Sequence, residues 1–484
     1  MDDPAVYYSN TGGEKQDATA VSVRSTTELF ASDSQKKMNT RVVYGSLAAL
    51  VIALIAVLIA LIVVATSKNS NETSSSGSSA QGSCEDSNSY PWVVPDCSYA
   101  KTNLEKAHCV LDSYPLVDGH NDLPYRYRMF ANNSVYNVDL TSDLRLTWDP
   151  NVSHTDIPKM RKGKLGAQFW ADYVPCASNY KDAVRLSLEQ LDVIKKYVAR
   201  YPETFEFVTT AQGILDAFKD GKIGSLIGLE GGHSIDSSLG TLRMFYTLGV
   251  RYMTVTHSCN VPWADNWLAD TPDYNETLEG PKHDGLTAFG EKVILEMNRL
   301  GMLVDLSHVA KATMEDALRI SKAPVIYSHS SAFEYCNHYR NVQDSVLRLT
   351  KENGGVVMVN FYDKYINCEP NLKDTPTLSQ VADHIEYIKN LIGVDYVGIG
   401  ADYDGVPSVP VGLEDTSTYP ALFAELIKRG WNEENLQKLA GRNLIRVFKQ
   451  AEKVSDEMGH LPPYEDIQPQ KVSNPDDLPC RTDF

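Results

Sequence analysis

The stretch Leu116-Val117-Asp118-Gly119-His120-Asn121-Asp122 joins a short apolar run to a turn-prone Asp-Gly pair and then to two metal-ligand side chains. In an extended chain, residues two apart point to the same side, so His120 and Asp122 can reach one ion at the end of a strand. Alone, a His-x-Asp triplet is common on solvated surfaces. This one gains weight because later apolar runs also end in His, Glu or Asp.

Eight such runs occupy 116–117, 167–174, 225–229, 252–256, 302–306, 324–327, 355–361 and 396–400. Each reads as a buried strand. Helical spacing separates several of them: Val184, Leu188, Leu191 and Ile194; then Leu286, Phe289, Val293 and Leu300; then Val381, Ile385 and Ile388. Asn432 is placed to cap a last helix through Leu436, Leu439 and Val447. Strands alternating with helices predict an α/β fold, a (β/α)8 TIM-type barrel, although 206–208 can be counted as a ninth strand. A barrel of this kind carries its chemistry at the C-terminal ends of its strands. The run at 225–229 leads into Glu230, 252–256 into His257, 302–306 into His308, 324–327 into His329, and 396–400 into Asp402 and Asp404.

Histidines with carboxylates are the usual makeup of a catalytic zinc site. Here the ligands outnumber the needs of one ion, and two ions sharing a carboxylate use them all. Glu230 is the natural bridge. His120 and Asp122 are expected to complete one ion, and His308 and His329 the other. Asp402, preferred to Asp404 because it is nearer the strand end, is expected to move a proton from the attacking water to the leaving amine. His257 is expected to polarise the scissile carbonyl or stabilise the oxyanion. The reaction class is metal-assisted hydrolysis of an amide or ester. His233, three residues past Glu230, is expected to be structural.

The chain has 484 residues and a formal net charge of −18, which argues against a nucleic-acid partner. Residues 1–41 are polar and read as a disordered cytoplasmic tail. Residues 42–67 hold no charged side chain, and are long enough to cross a bilayer as a helix. Lys36, Lys37 and Arg41 precede it and Lys68 alone follows, so the positive-inside rule predicts a single-pass type II topology with the bulk of the chain outside the plasma membrane. A stalk over 68–104, a catalytic barrel over 105–452 and a tail over 453–484 complete the layout. Asn71, Asn132, Asn151 and Asn275 open glycosylation sequons. An outside location permits disulfides among the eight cysteines, which the sequence alone does not pair.

Taken together, Asp118-Gly119-His120-Asn121-Asp122-Leu123-Pro124, Gly228-Leu229-Glu230-Gly231-Gly232-His233-Ser234, Thr256-His257-Ser258-Cys259-Asn260, Asp305-Leu306-Ser307-His308-Val309, Ser328-His329-Ser330-Ser331-Ala332, Arg340-Asn341-Val342 and Gly400-Ala401-Asp402-Tyr403-Asp404-Gly405 resemble the membrane dipeptidases of the renal dipeptidase type, over roughly residues 105–450. The resemblance implies two zinc ions with Glu230 bridging, and His257 and Arg340 as substrate-binding residues. Arg340 then looks like the clamp on the substrate's C-terminal carboxylate, a task suited to a planar guanidinium. It also implies disulfides Cys176–Cys259 and Cys336–Cys368, and a homodimer that Cys480 can cross-link. Substrates in the family are dipeptides, with some members acting on cysteinyl leukotrienes or β-lactams.

Two departures stand out. Many members carry a C-terminal lipid anchor, which needs a hydrophobic tail, whereas this chain ends Pro479-Cys480-Arg481-Thr482-Asp483-Phe484, so the N-terminal helix is expected to anchor it. Tyr125 stands where the family commonly has Trp beside the pocket, which bears on side-chain preference. Two rival functions differ in class or substrate. One is a catalytically inactive barrel acting as a cell-surface binding protein, which loss of a key residue would signal. The other is an amidohydrolase for other small amides.

Overall fold

The computed structural model describes residues 93–276, 280–368 and 375–468. The expected cytoplasmic tail, membrane helix and most of the stalk lie outside the described residues, as do Asn71, Cys84 and Cys480. Among the described residues no helix is long and apolar enough to cross a membrane.

Among the described residues there are nine parallel strands: β1 (Leu116–Asn121), β2 (Leu165–Tyr173), β3 (Phe205–Phe207), β4 (Ile223–Glu230), β5 (Val250–Thr254), β6 (Leu303–Asp305), β7 (Ile326–Tyr327), β8 (Val356–Val359) and β9 (Val397–Ile399). Eight of them close a ring. β1 pairs with β2 and with β9, β2 passes over β3 to pair with β4, and the remaining strands pair in sequence. β3 lies against the first residues of β4, Ile223 to Ser225, and β5 takes over from Ile227. The stretch counted at 206–208 thus falls on a strand, Phe205–Phe207, but that strand stands outside the barrel. The eight strands of the ring match the eight apolar runs. Helices cover the outside and side chains fill the inside, so all residues of β2 and β4 are buried and the runs show no alternation.

Local chemistry sets the helix starts. Thr210, Ser238, Thr287 and Asn432 each accept the backbone N–H three residues on, opening Ala211–Lys219, Leu239–Thr247, Ala288–Leu300 and Glu433–Gln437. Each such cap stabilises by about 1 kcal/mol. The last helix does not run evenly. A π-helical turn, Lys438–Arg442, separates Glu433–Gln437 from Asn443–Met458. It lies against the start of β1, where a Cβ on Gly441 would stand 2.5 Å from the Pro115 carbonyl oxygen. In Ala183–Arg200 the expected apolar stripe is only partly buried. Leu191 and Ile194 face the core, but Leu188 is 42% exposed. It sits one residue, about 100°, round the helix from buried Ser187.

The body extends past the boundaries expected at both ends. A helix starts at Asn103, and Cys97 is buried and bonded to Cys109, so the last stalk residues are part of the barrel's cover. Helix Asn443–Met458 crosses residue 452, and beyond it the Tyr464 carbonyl accepts from Arg243 while Gln468 donates to Pro262. The structure pairs Cys176 with Cys259 and Cys336 with Cys368.

Candidate metal centre

Asp118-Gly119 is not the turn its composition suggests, because β1 continues through it to Asn121. The Asp118 carboxylate is buried and accepts from His120 N (2.8 Å), Ala401 N (3.1 Å), Gln168 Nε2 (3.2 Å) and the Tyr419 hydroxyl. Those bonds tie β1 to β2 and to the end of β9, and favour an extended path over a turn. Glycine is required at 119 by crowding: a Cβ would meet the Ser328 carbonyl oxygen at 2.5 Å. Past β9 the ladder continues as a bridge between Asn121 and Tyr403. Asp122 N donates to Tyr403 O (3.0 Å) and Asp402 N to His120 O (3.3 Å). The Asp402 side chain is thereby brought beside His120 and Asp122. Asp402 and His308 both have a φ of 66°, left-handed values that L-residues rarely adopt.

The strand ends converge on Glu230. Its Oε1 lies 3.4 Å from His120 Nε2, 3.3 Å from His308 Nε2, 3.5 Å from His329 Nε2 and 3.8 Å from His257 Nε2. His120 Nε2 stands 3.1 Å from Asp122 Oδ2. Three overlapping groups could each hold a metal ion: His120, Glu230 and His329; Glu230, His257 and His308; His120, Asp122 and Asp402. All these residues are buried. Ligand atoms about 2.0–2.2 Å from a tetrahedral zinc ion sit roughly 3.4 Å apart, close to the spacings here.

The partners of the rings fix which nitrogen faces the cluster. The Tyr252 hydroxyl donates to the Gly119 carbonyl (3.2 Å) and accepts from His120 Nδ1 (2.8 Å). The Ser328 hydroxyl donates to Asp305 Oδ2 (2.6 Å) and accepts from His329 Nδ1 (2.7 Å). His308 Nδ1 has Ser258 Oγ at 3.3 Å. The proton of His329 is thus on Nδ1, and its Nε2 lone pair faces His308 Nε2 at 3.0 Å. Two lone pairs at that distance repel unless a cation or proton lies between them. Such outer hydrogen bonds are the usual way a metal-binding histidine is oriented. The donor set therefore fits a cation.

Electrostatics agree. Burial, then the Arg340 charge and His257, holds His308 well below its ordinary pKa, and burial does the same for His329. Both rings are neutral, as metal ligands must be. Burial opposes charge on His120, but Tyr252, Glu230 and Asp122 together raise it well above its ordinary value. Burial likewise opposes the charge of Glu230, which His120 and His308 nevertheless pull well below the carboxylate range. The proton that His120 keeps is one that a bound cation displaces.

A cleft opens over the cluster, walled by Tyr125, Arg126, Met129, Tyr173, Arg340 and Tyr365 among others. Arg340 is 1% exposed and its Nε, Nη1 and Nη2 have no hydrogen-bond partner among the described residues. Its guanidinium carbon lies 5.4 Å from the Tyr365 ring centre. Asp404, the rival to Asp402, also lines the cleft but is held by His154: its carboxylate accepts from His154 N (2.9 Å), and its own N–H donates to His154 Nδ1 (2.9 Å). His233 donates to or accepts from nothing in the cluster, its Nε2 lying 2.9 Å from the Val174 carbonyl oxygen. Asn132, Asn151 and Asn275 are exposed.

Several residues that shape the centre carry no sequence signal of their own. Tyr252 reads as a core aromatic, and Ser258, Asp305 and Ser328 read as parts of motifs whose histidines draw the eye. Gly405 is another. A Cβ there would lie 2.2 Å from Asp402 Oδ1 and 2.3 Å from Asp122 Oδ2.

A closed barrel with a buried His/Glu/Asp cluster on its strand ends defines a (β/α)8 hydrolase of the metal-dependent kind. Residues 104–461 match the family description "Membrane dipeptidase (Peptidase family M19)". The chain therefore belongs to the membrane dipeptidase family, and it is a metallo-dipeptidase hydrolase. Its curated relatives include Dipeptidase 3 of Rattus norvegicus, 43% identical over 76% of this chain and 71% of the relative. Dipeptidase 3 of Homo sapiens is 45% identical over 74% and 70%. Among solved structures, the metallopeptidase dipeptidase AC superposes with a TM-score of 0.62 at 25% identity, over 70% of this chain and 98% of its own. A metallopeptidase from Rhodobacter sphaeroides, liganded with a phosphinate mimic of L-Ala-D-Ala, shares the fold with a TM-score of 0.62 at 24% identity, over 70% and 99%.

Proposed function

We propose that this chain is a zinc-dependent dipeptidase working outside the cell, with two zinc ions sharing Glu230, His120 and Asp122 completing one site, and His308 and His329 the other. When bound, the ions supply Lewis acidity for activating a water at neutral pH. Arg340 takes the substrate's free carboxylate. This assignment is what the reading rests on most: a buried guanidinium with three unsatisfied nitrogens, facing the cleft, calls for a planar anion. A carboxylate held there sets the distance to the scissile carbonyl, so only a substrate one residue long on that side reaches the centre.

Asp402 serves as the proton carrier. Burial, with Asp122 and Glu230 adding, pushes its carboxyl well above the usual range, which suits a group that receives a proton from the attacking water and gives it to the leaving amine. His257, 5% exposed and against Tyr173, donates to the oxyanion as it forms. Tyr125 and Tyr173 meet edge to face at 4.8 Å and narrow the cleft over the centre.

The membrane span at 42–67, the plasma-membrane type II topology and glycosylation at Asn71, Asn132, Asn151 and Asn275 belong to the same reading. So does a homodimer, with Cys480 available to link its subunits. Three disulfides support an oxidising, extracellular location.

The test is hydrolysis of plain dipeptides by the full-length protein in detergent, beside a tripeptide and an N-acetylated dipeptide, with and without a zinc chelator. Chelator-sensitive cleavage of free dipeptides alone is expected. Bound metal without cleavage would favour a binding protein built on an enzyme's barrel, and cleavage of the N-acetylated compound would favour a broader amidohydrolase.

A further inference from the structure

Arg340 is not the only guanidinium in the cleft. Arg126 also lines it, on the helix Leu123–Ala131 that begins directly after Asp122. The residue is 5% exposed. Its Nη1 reaches the Met129 sulfur at 3.3 Å, its Nε has no hydrogen-bond partner, and it forms no ion pair with a described residue. The cleft lining holds Met129, Val152 and Val406 together with Asp122, Asp402 and Asp404. Its charge reaches Asp122 and Asp404 without a hydrogen bond to either, which leaves Nε open to a carboxylate from a ligand.

Arg126 follows β1 and Arg340 follows β7, strands that β8 and β9 separate in the ring. The charge of Arg340 acts on His308, His329 and Asp402, that of Arg126 on Asp122 and Asp404. A dipeptide with its carboxylate on Arg340 and its scissile carbonyl over Glu230 has its amino-terminal residue on the Asp122 side. Its α-amine has the aspartates there to meet. The side chain of that residue is what Arg126 can reach.

We propose that Arg126 selects substrates whose amino-terminal residue carries an anionic side chain, so that aspartyl and glutamyl dipeptides are this enzyme's preferred class. The inference rests on the dipeptidase reading above. It goes beyond that reading in naming a second anchoring charge and the substrate half it serves. A carboxylate on Arg126 makes a charge-assisted hydrogen bond in a partly desolvated wall, which a neutral isostere makes only weakly.

The experiment compares kcat/KM for Glu-Ala, Gln-Ala and Lys-Ala with the zinc-loaded, full-length protein. Glu-Ala is expected to exceed its neutral isostere Gln-Ala by about tenfold or more, with most of the gain in KM, as for one charge-assisted bond. In Arg126→Gln the ratio should fall to near one, Arg126→Lys should keep part of it, and Arg126→Glu should move the preference to Lys-Ala. Should the variants fail to fold, the wild-type ratio decides alone. Equal cleavage of Glu-Ala and Gln-Ala by the wild type, or a ratio untouched by Arg126→Gln, overturns the inference and leaves the dipeptidase reading standing. No cleavage of any dipeptide overturns both.

Discussion

Arg340→Gln leaves a side chain of similar reach without the fixed fork and charge that match a carboxylate. Its kcat/KM on a free dipeptide should fall by about 100-fold or more, chiefly through KM, because losing a buried charged partner costs several kcal/mol. Arg340→Lys should recover only a small part. An unchanged KM would remove Arg340 from the carboxylate site. Asp402→Asn tests another step. General acid–base groups contribute about 10²–10⁴ in rate, so kcat should drop by that range while zinc content stays within error of wild type. If zinc is lost together with activity, Asp402 holds metal rather than moving protons. Gly405→Ala is the steric counterpart: a Cβ 2.2 Å from Asp402 Oδ1 must displace that carboxylate or Asp122. Activity should fall by at least tenfold with little loss of thermal stability, since the strain falls on the site and not on the core.

Strands deliver the ligands, and the disulfide Cys176–Cys259 fastens two of their exits. Cys259 lies two residues beyond His257, and Cys176 three beyond Tyr173 at the end of β2. Replacing both with Ser should cost about 2–4 kcal/mol of stability and raise KM, because the His257 loop is no longer held against the Tyr173 wall. A stability loss with unchanged kinetics would show that the bridge serves the fold alone. Most of this scale is legible in the sequence. Strands buried on both faces read as continuous apolar runs, and the residues just after them are the ones the barrel brings together. What the runs do not reveal is the ladder past β9, which aligns Asp402 with His120 across 282 residues of chain. Nor do they reveal the extended Asp118-Gly119. That pair looks like a turn until the four donors on Asp118 and the crowding at Gly119 are known. Tyr252 shows the same limit: its hydroxyl serves His120, 132 residues away, while its composition and spacing say only that it is core.

At the scale of the molecule, three buried histidines outside the ligand set govern behaviour in acid. Burial, with the Arg126 charge adding, lowers His154 to about 3, and burial lowers His233 and His384 to about 4 each. In the unfolded chain each titrates near 6.5. Above about pH 7 they are neutral in both states and do not affect stability. As pH falls from 6.5 towards 4 the unfolded chain binds protons that the folded one refuses, so stability drops by up to about 1.4 kcal/mol per pH unit for each histidine. Urea midpoints between pH 7.5 and 5 should therefore decline, with a slope below three protons because Asp404, raised to about 6 by burial, binds a proton in the folded chain over the same range. Rings that titrate near 6.5 in the folded chain would contradict this. The sequence marks His233 as structural by its place three residues past Glu230, but it gives no sign that His154 and His384 are buried. Burial is a property of the packed whole, and single-residue context does not report it.

The most direct test of the central claim compares Ala-Ala with Ala-Ala amide as substrates for the zinc-loaded, full-length protein, before and after chelation. The free dipeptide should be cleaved, the amide at least 100-fold more weakly, and chelation should abolish both. Equal cleavage of the two would contradict the carboxylate clamp at Arg340, and no cleavage of the free dipeptide by fully metallated protein would contradict the enzyme itself.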